Sequence, residues 1–414
     1  MSGRHILILD RDGVTRYTDT NGAFQPSPSQ HHVSVLTKAV HEAGFKNIAG
    51  LDLHVTDTDH QLDALMATAE RLHQHHAFDG IIALSERHIL PAAAFRGRHG
   101  IAGRSPDGAL ALRDKFTMSN MVQAAGIPVP EQVCLADAGA ARDLLARHGR
   151  VVVKPRDGMG SAGVQVVATP HDLKQCIAVA GSGATDQIAA QYLENREFHV
   201  EAVTVDGDVV FAECFEYIGH PLRFRDLATR RGVTVRDPDL RRRILSLNAT
   251  ALSAIGFREG VSHLECFLTP GGELYFGEVA GRPGGSGISD CVAGLWGVDT
   301  GACGALLEVG LPVGITAKAR FPAGGWIAIY PRAGQLQDVS PLSAFDDHWI
   351  LHAEILCRPG QHLVDPIMSG ASIARFSVGG DTPAQALERL EEVSRRFTFR
   401  VTAPADNCTS ARAS

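Results

Sequence analysis

Lys154 stands at the end of the apolar run 151–153, just before the glycine-rich stretch DGMGSAG (residues 157–163) and a second apolar run at 164–167. Small residues in such a turn let backbone N–H groups approach phosphate oxygens closely, and a neighbouring lysine neutralises them. The stretch lacks the Gly-Lys-Ser/Thr ending of a Walker loop and no helix follows it. A bound anion would therefore be covered by a β-hairpin; an ordinary glycine-rich hairpin is the alternative these residues leave open. Farther along, Glu265 and Glu278 sit on the two arms of a hairpin turning at residues 269–272. Pairing Leu268 with Glu273 makes the two glutamates diagonal neighbours on one face, roughly 7–8 Å apart at the backbone. Carboxylates that close repel unless a cation lies between them or one takes up a proton. Arg282 and the turn Pro283-Gly284-Gly285-Ser286-Gly287 follow directly. Oxygen ligands placed this way suit Mg²⁺ (or Mn²⁺) shared with phosphate oxygens; two solvated glutamates are the alternative.

The elements that must position these groups fall into two kinds. From the amino terminus, an apolar run at 5–10, helical spacing at 32–43 and 61–75, a strand at 78–86 and a helix starting at 89–95 alternate as in an α/β layer with a mostly parallel sheet. From residue 114 the pattern changes. Helices are expected at 114–125, 138–148 and 238–255. Strands are expected at 151–153, 164–167, 191–193, 198–205, 209–214, 263–268 and 273–279. The turn Asp206-Gly207-Asp208 signals a hairpin, and repeated hairpins argue for an α+β unit.

Composition excludes several function classes. Lys+Arg 39 against Asp+Glu 46 leaves a net charge of −7, so no general electrostatic footprint for nucleic acid or an anionic membrane exists. No apolar run reaches the ~18 residues needed to span a bilayer, and the first ten residues lack the features of a signal peptide. The eight cysteines are scattered without a CxxC pair, which reads as reduced thiols in a cytoplasmic protein. His73, His75 and His76 read as a solvated helix end, because no cysteine or carboxylate stands at ligand spacing.

The pieces GIIALSE, GRSPDGALALRDKF, AAGIPVP, VVVKPRDGMGSAGV, QYLENREFHVEAVTVDG and SHLECFLTPGGELYFGEVAGRPGG occur in the order typical of the ATP-grasp superfamily. They most resemble its carboxylate–amine ligases, the amino-acid ligase and carnosine-synthase type. The resemblance implies an amino-terminal Rossmann-like α/β domain (1–113) and a two-lobed ATP-grasp core (114–310, flap about 115–190). A carboxy-terminal α+β domain (311–402) and a flexible tail (403–414) complete the expectation.

It further implies ATP as the bound nucleotide. Lys115 and Lys154 would lie on its phosphates, with Asp157, Gly158, Gly160, Ser161 and Gly163 in the covering flap. Tyr192 and Leu193 would cup adenine, and Glu197 would bond the ribose. Glu265 and Glu278 would hold magnesium, Arg282 would steady an acyl phosphate, and Gly284, Gly285, Ser286 and Gly287 would line the carboxylate site. His263 lies beside that site. The reaction implied joins a small-molecule carboxylate to an amine, with amino acids as substrates. The alternatives are ligation onto a carrier protein, a carboxylase or nucleotide-biosynthesis reaction, and a non-catalytic nucleotide-binding relative. Two positions depart from the family pattern: Ala280 replaces an asparagine ligand, and Ala190 replaces the hinge glutamate.

Glu86 follows a strand's carboxyl end, where α/β sheets present groups to ligands, and is a candidate substrate contact. Arg223, Arg225, Arg230 and Arg231 read as a solvated loop, the alternative being one arginine reaching a substrate carboxylate. Arg241, Arg242 and Arg243 read as a solvent face, and Trp296 and Trp326 as packing residues. If the protein is an oligomer, a two-fold homodimer is the commonest arrangement.

Overall fold

The computed structural model describes residues 3–219, 228–368 and 370–402. Arg223, Arg225 and the tail expected at 403–414 lie outside these. A four-stranded parallel sheet opens the chain, built from β1 (His5–Leu9), β2 (His32–Thr37), β3 (Leu51–Val55) and β4 (Gly80–Ile82) in the order β3-β2-β1-β4. Alternation along β1 divides its side chains between two layers. Leu7 and Leu9 pack with Leu65 and Ala69 of the helix Leu62–His75, while Ile6 and Ile8 pack with Ala305 and Val309. The second layer is therefore completed from the helix Thr300–Glu308 and the residue that follows it, which fixes this sheet to the rest of the molecule.

The helix expected at 32–43 is not formed. Residues His32–Thr37 are β2, and only Glu42–Lys46 is helical. The apolar spacing fits a helix, but a short run buried on both faces carries no period that separates the two states. Val33 and Val35 face one layer and Leu36 the other, which decides the matter. The strand expected at 78–86 is confined to Gly80–Ile82, and β3 had no sequence signal strong enough to name it.

A second four-stranded sheet holds β5 (Gln132–Cys134), β6 (Val151–Pro155), β7 (Gln165–Val167) and β8 (Gln187–Gln191) in the order β5-β8-β6-β7. β6 and β7 pair antiparallel through Val151 and Val167, so the glycine-rich stretch is the tip of a hairpin, as expected. The helix Ala138–His148 backs this sheet. Asp137 caps it, accepting from the Ala140 N–H, and Gly149 ends it in the left-handed conformation.

The largest sheet has eight strands and orders the site. β9 (Arg196–Val205), β10 (Asp208–Tyr217), β11 (Thr229–Thr234), β12 (Gly260–Leu268) and β13 (Leu274–Ala280) are joined by β14 (Ala323–Ile329), β16 (Ile350–Ile355) and β18 (Ala374–Gly380). The strand order is β13-β12-β9-β10-β11-β14-β18-β16. The boundary expected near residue 310 thus falls between strands of one continuous sheet. β15 (Gly334–Val339), β17 (His362–Leu363) and β19 (Phe399–Thr402) form a small third layer. Among the described residues no helix is long and apolar enough to cross a membrane.

Candidate active site

A cavity of about 630 Å³ opens where the amino-terminal sheet, the hairpin flap and the large sheet meet. Lys115 enters it from the first turn of the helix Lys115–Ala124. Asp114 caps that helix, accepting from the Thr117 N–H at 2.7 Å and taking the Arg156 guanidinium at 2.7 Å. The Lys115 ammonium donates to the Gly158 carbonyl at 2.6 Å and lies 3.2 Å from Glu278 Oε2. One lysine therefore ties the flap tip to a candidate metal carboxylate. Lys154 enters from β6. Burial lowers its ammonium, opposed by the attraction of Glu278, and the charge of Lys115 lowers it further. Gly158, Gly160 and Ser161 line the cavity, whereas Asp157 and Gly163 do not. The Asp157 carbonyl instead accepts a hydrogen bond from Arg113, and Gly163, at φ 72°, packs against the Pro155 ring. Their contribution is to shape the turn.

Tyr192, Leu193 and Glu197 line the same cavity. The Arg150 guanidinium stacks 4.3 Å from the Tyr192 ring centroid. Burial, together with the charges of Glu265 and Glu278, pushes the Glu197 carboxyl well above its ordinary range.

Glu265 and Glu278 are direct cross-strand partners, not the diagonal neighbours expected from pairing Leu268 with Glu273. Leu268 pairs with Leu274, and a bulge between Glu265 and Cys266 shifts the register at Gly277. A Cβ at Gly277 would stand 2.9 Å from the Glu265 carbonyl oxygen and 2.9 Å from the Phe267 ring, so the bulge needs glycine. Glu265 Oε1 accepts from the Tyr217 hydroxyl at 2.8 Å and lies 3.4 Å from both Arg230 and His263 Nε2. Its Oε2 has no partner among the described residues. Burial would raise this carboxyl, but the His263 hydrogen bond and the Arg230 guanidinium hold it well below the usual carboxylate range. Three carboxylates crowd this end of the cavity, one of them driven toward protonation. That donor set fits a divalent cation.

Arg230 departs from the solvated-loop reading: it lies on β11, mostly buried, 4.3 Å from the Tyr217 ring centroid and paired with Glu265. Arg231 keeps the surface character, 3.6 Å from the half-exposed Glu391.

Arg282 donates from Nε to Glu86 Oε1 at 3.1 Å, and Arg113 binds the other Glu86 oxygen. Burial would raise the Glu86 carboxyl, and the two guanidinium groups hold it low. Glu86 lines the cavity as expected of a candidate contact, but its oxygens are spoken for; what it does is aim Arg282. Gly284, Gly285, Ser286 and Gly287 also line the cavity. Ser286 (φ 58°) and Gly287 (φ 87°) are left-handed, turning the chain into the helix Ile288–Trp296.

Sequence reasoning missed what holds that turn. His199 and Glu201 lie two residues apart on β9, and His263 and Glu265 two apart on β12. The antiparallel register sets His263 opposite Glu201 and Glu265 opposite His199. The repeated His-x-Glu was the available signal. Buried Glu201 accepts from His263 at 2.5 Å, His199 at 2.9 Å and the Gly284 N–H at 3.0 Å. A Cβ on Gly284 would stand 2.7 Å from Glu201 Oε2, so this contact too needs glycine. Trp326 Nε1–H donates to His199 Nε2 at 3.1 Å, so His199 Nδ1 carries the proton that Glu201 receives. Burial would lower His263, but Glu201 outweighs it and raises the imidazole to about 9. Burial lowers His199 to about 4, and against its own burial Glu201 is drawn down to about 2 by His263. The site thus presents a fixed imidazolium beside the candidate metal carboxylates.

Residues 112–286 match the family model of the ATP-grasp domain. The L-arginine-specific L-amino acid ligase of Bacillus subtilis is 23% identical over 355 residues, covering 83% of this chain and 85% of that protein. Among solved structures, an L-amino acid ligase from Bacillus licheniformis superposes with a TM-score of 0.77 at 16% identity, covering 97% of this chain and all of the other. N5-carboxyaminoimidazole ribonucleotide synthetase from Thermotoga maritima gives 0.71 at 16% identity, covering 96% of this chain and all of that one. At these identities the structural likenesses establish the fold.

Proposed function

Residues 112–286 being an ATP-grasp domain, we propose that this protein is an ATP-dependent carboxylate–amine ligase. It joins two small molecules, at least one an amino acid, through an acyl phosphate and releases ADP and phosphate. The observation that carries the reading is the convergence of Lys115, Lys154, Glu265, Glu278 and Arg282 on one cavity.

A carboxylate is a poor electrophile at neutral pH, and transfer of the γ-phosphoryl group to it creates a good leaving group. Lys115 and Lys154 offset charge on the phosphates, and Arg282, aimed by Glu86, offsets charge at the acyl end. Glu265 and Glu278 would hold magnesium, which would supply positive charge against the charge developing on the phosphates. His263, kept protonated by Glu201, adds a fixed positive charge where a carboxylate substrate would lie. The flap hairpin keeps water from the acyl phosphate until the amine attacks. The amine's attack forms the C–N bond, breaks the acyl C–O bond and expels phosphate. The 23% identical relative, whose name specifies an L-amino acid ligase, supports amino acids as substrates.

The test is incubation of purified protein with Mg-ATP and pooled amino acids, read by mass spectrometry alongside released phosphate. Products equal in mass to two amino acids minus water, with ADP and phosphate, establish the reading and identify the substrates. ATP bound but unspent across proteinogenic and non-proteinogenic acids overturns it in favour of a nucleotide-binding protein. Phosphate release that requires bicarbonate overturns it in favour of carboxylation.

A further inference from the structure

At the far end of the amino-terminal sheet lies a second group of titratable side chains. His5 opens β1 and His32 opens the parallel strand β2 as its direct register partner; His76 ends the helix Leu62–His75 as its C-cap. One ring nitrogen from each falls within 4.8 Å of the others. The cavity lies at the opposite ends of these strands, at Arg11 and Asp12, roughly 20 Å away at ~3.3 Å per strand residue. None of the three histidines lines it.

The hydrogen bonds around His5 decide which of its nitrogens carries the proton. The Ser34 hydroxyl donates to Asp52 Oδ2 at 2.9 Å, and a carboxylate can only accept. Ser34 Oγ, its single proton committed, must accept from His5 Nε2 at 3.0 Å. His5 Nε2 therefore bears the hydrogen and Nδ1 bears the lone pair. That Nδ1 is buried and has no hydrogen-bond partner. The Ala77 carbonyl nearby offers another lone pair and cannot satisfy it. His5 is 5% exposed, and its backbone N–H is pinned by Asp79 at 2.8 Å, so the orphaned lone pair is held in place. A carboxylate acting through a hydroxyl to orient an imidazole is the outer-shell arrangement found behind metal-ligating histidines.

We propose that His5, His32 and His76 form a binding site for a divalent transition cation of the zinc class, remote from the ATP-grasp cavity. Neutral imidazoles suit such ions at about 2.0–2.1 Å, and three of them leave a fourth position for water. The His5 and His32 rings are stacked, 4.2 Å between centroids and 8° between planes. Their lone pairs lie in near-parallel planes, so closing on an ion requires His32 and His76 to turn about the fixed His5. Both are exposed, and exposed rotamers exchange within nanoseconds. The ion would tie the starts of two core strands to the end of a helix, a stabilising link that has no part in the chemistry. In sequence alone His76 reads as a solvated helix end, because its partners are contributed by the sheet, far away along the chain.

The experiment is calorimetric titration of the full, untagged, chelator-treated chain with Zn²⁺, without nucleotide or Mg²⁺, together with a thermal melt. The expected result is one equivalent bound with a rise in Tm, lost in the doubly substituted H32A/H76A chain. Both of those residues are exposed, so that chain should melt like the unsubstituted apo protein. Ser34→Ala, which frees the His5 tautomer without removing a ligand, should weaken binding about 10–100-fold. Equal binding by the H32A/H76A chain would assign the ion to the cysteines or to His199, Glu201 and His263, and overturns the proposal. Absence of any Zn²⁺ binding overturns it as well.

Discussion

Glu201→Gln tests the electrostatics of the candidate site most directly, because the amide keeps the side chain's shape while removing its charge and one of its two acceptor oxygens. In the native protein the His263 imidazole is raised from 6.5 to about 9, which corresponds to roughly 3 kcal/mol favouring its charged form at about 1.4 kcal/mol per tenfold. Breaking a buried ion pair by removing one partner costs about 3–5 kcal/mol, the same order. A folded value raised above the unfolded one gives stability that is complete below pH 6.5 and lost as pH rises through 9. Glu201, lowered from 4.5 to about 2, describes the same pair from its other end: that stability is complete above pH 4.5 and lost as pH falls through 2. The two views are counted once. At pH 7 the E201Q chain should melt about 3–4 °C lower, at roughly 1 °C per kcal/mol for a chain of 414 residues. The gap between the two proteins should narrow above pH 9, where His263 is neutral in both and only the His199 and Gly284 hydrogen bonds to Glu201 still distinguish them. Thermal melts across pH 6–10, with imidazole NMR of His263, read both quantities. A constant gap across that range, no gap at pH 7, or His263 titrating near 6.5 in the native protein would each refute the reasoning.

Three further substitutions probe the rest of the cavity. Gly277→Ala places a Cβ 2.9 Å from the Glu265 carbonyl oxygen and the Phe267 ring; it should cost about 1–3 kcal/mol in melts and lower turnover by separating Glu265 from Glu278. Glu86→Gln weakens the hold on Arg282 and should lower kcat by up to about 10²-fold, with the KM for ATP much less affected, in a phosphate-release assay. Lys115→Ala removes the group that joins the flap to Glu278 and should reduce turnover by about 10²–10³-fold in the same assay.

The separate parts of the site could be read along the chain, whereas their mutual arrangement could not. Lys154 and the glycine-rich tip are contiguous in sequence, so local turn chemistry exposes them. Helix 138–148 announces itself through Asp137, its apolar spacing and Gly149. The Glu265–Glu278 register escaped because one bulge at Gly277 slides one arm past the other, and nothing in the hairpin's length reveals a bulge. Glu201 and His199 escaped for a different reason. They sit in REFHVEAVTV, a strand buried over most of its length, and their partners lie on a neighbouring strand some sixty residues away along the chain (|i−j| = 62 for Glu201 and His263). Arg230 looked like part of a surface run, since only the tertiary fold turns it toward Glu265 and leaves Arg231 outside. The misread helix at 32–43 has the same origin: burial on both sheet faces erases the periodicity that would have identified a strand.

The continuity of the large sheet determines where this chain can be shortened. Ending it near residue 310 would remove β14, the hydrogen-bonding neighbour of β11 from Thr229 to Val233. The row of backbone donors and acceptors thus bared is a template for pairing with another copy. The same cut would withdraw Trp326 and with it the proton donor that fixes the His199 tautomer. A shortened chain would retain Lys115, Lys154, Glu265, Glu278 and Arg282, yet tend to self-associate, with the ring of His199 beside Glu201 no longer held to one tautomer.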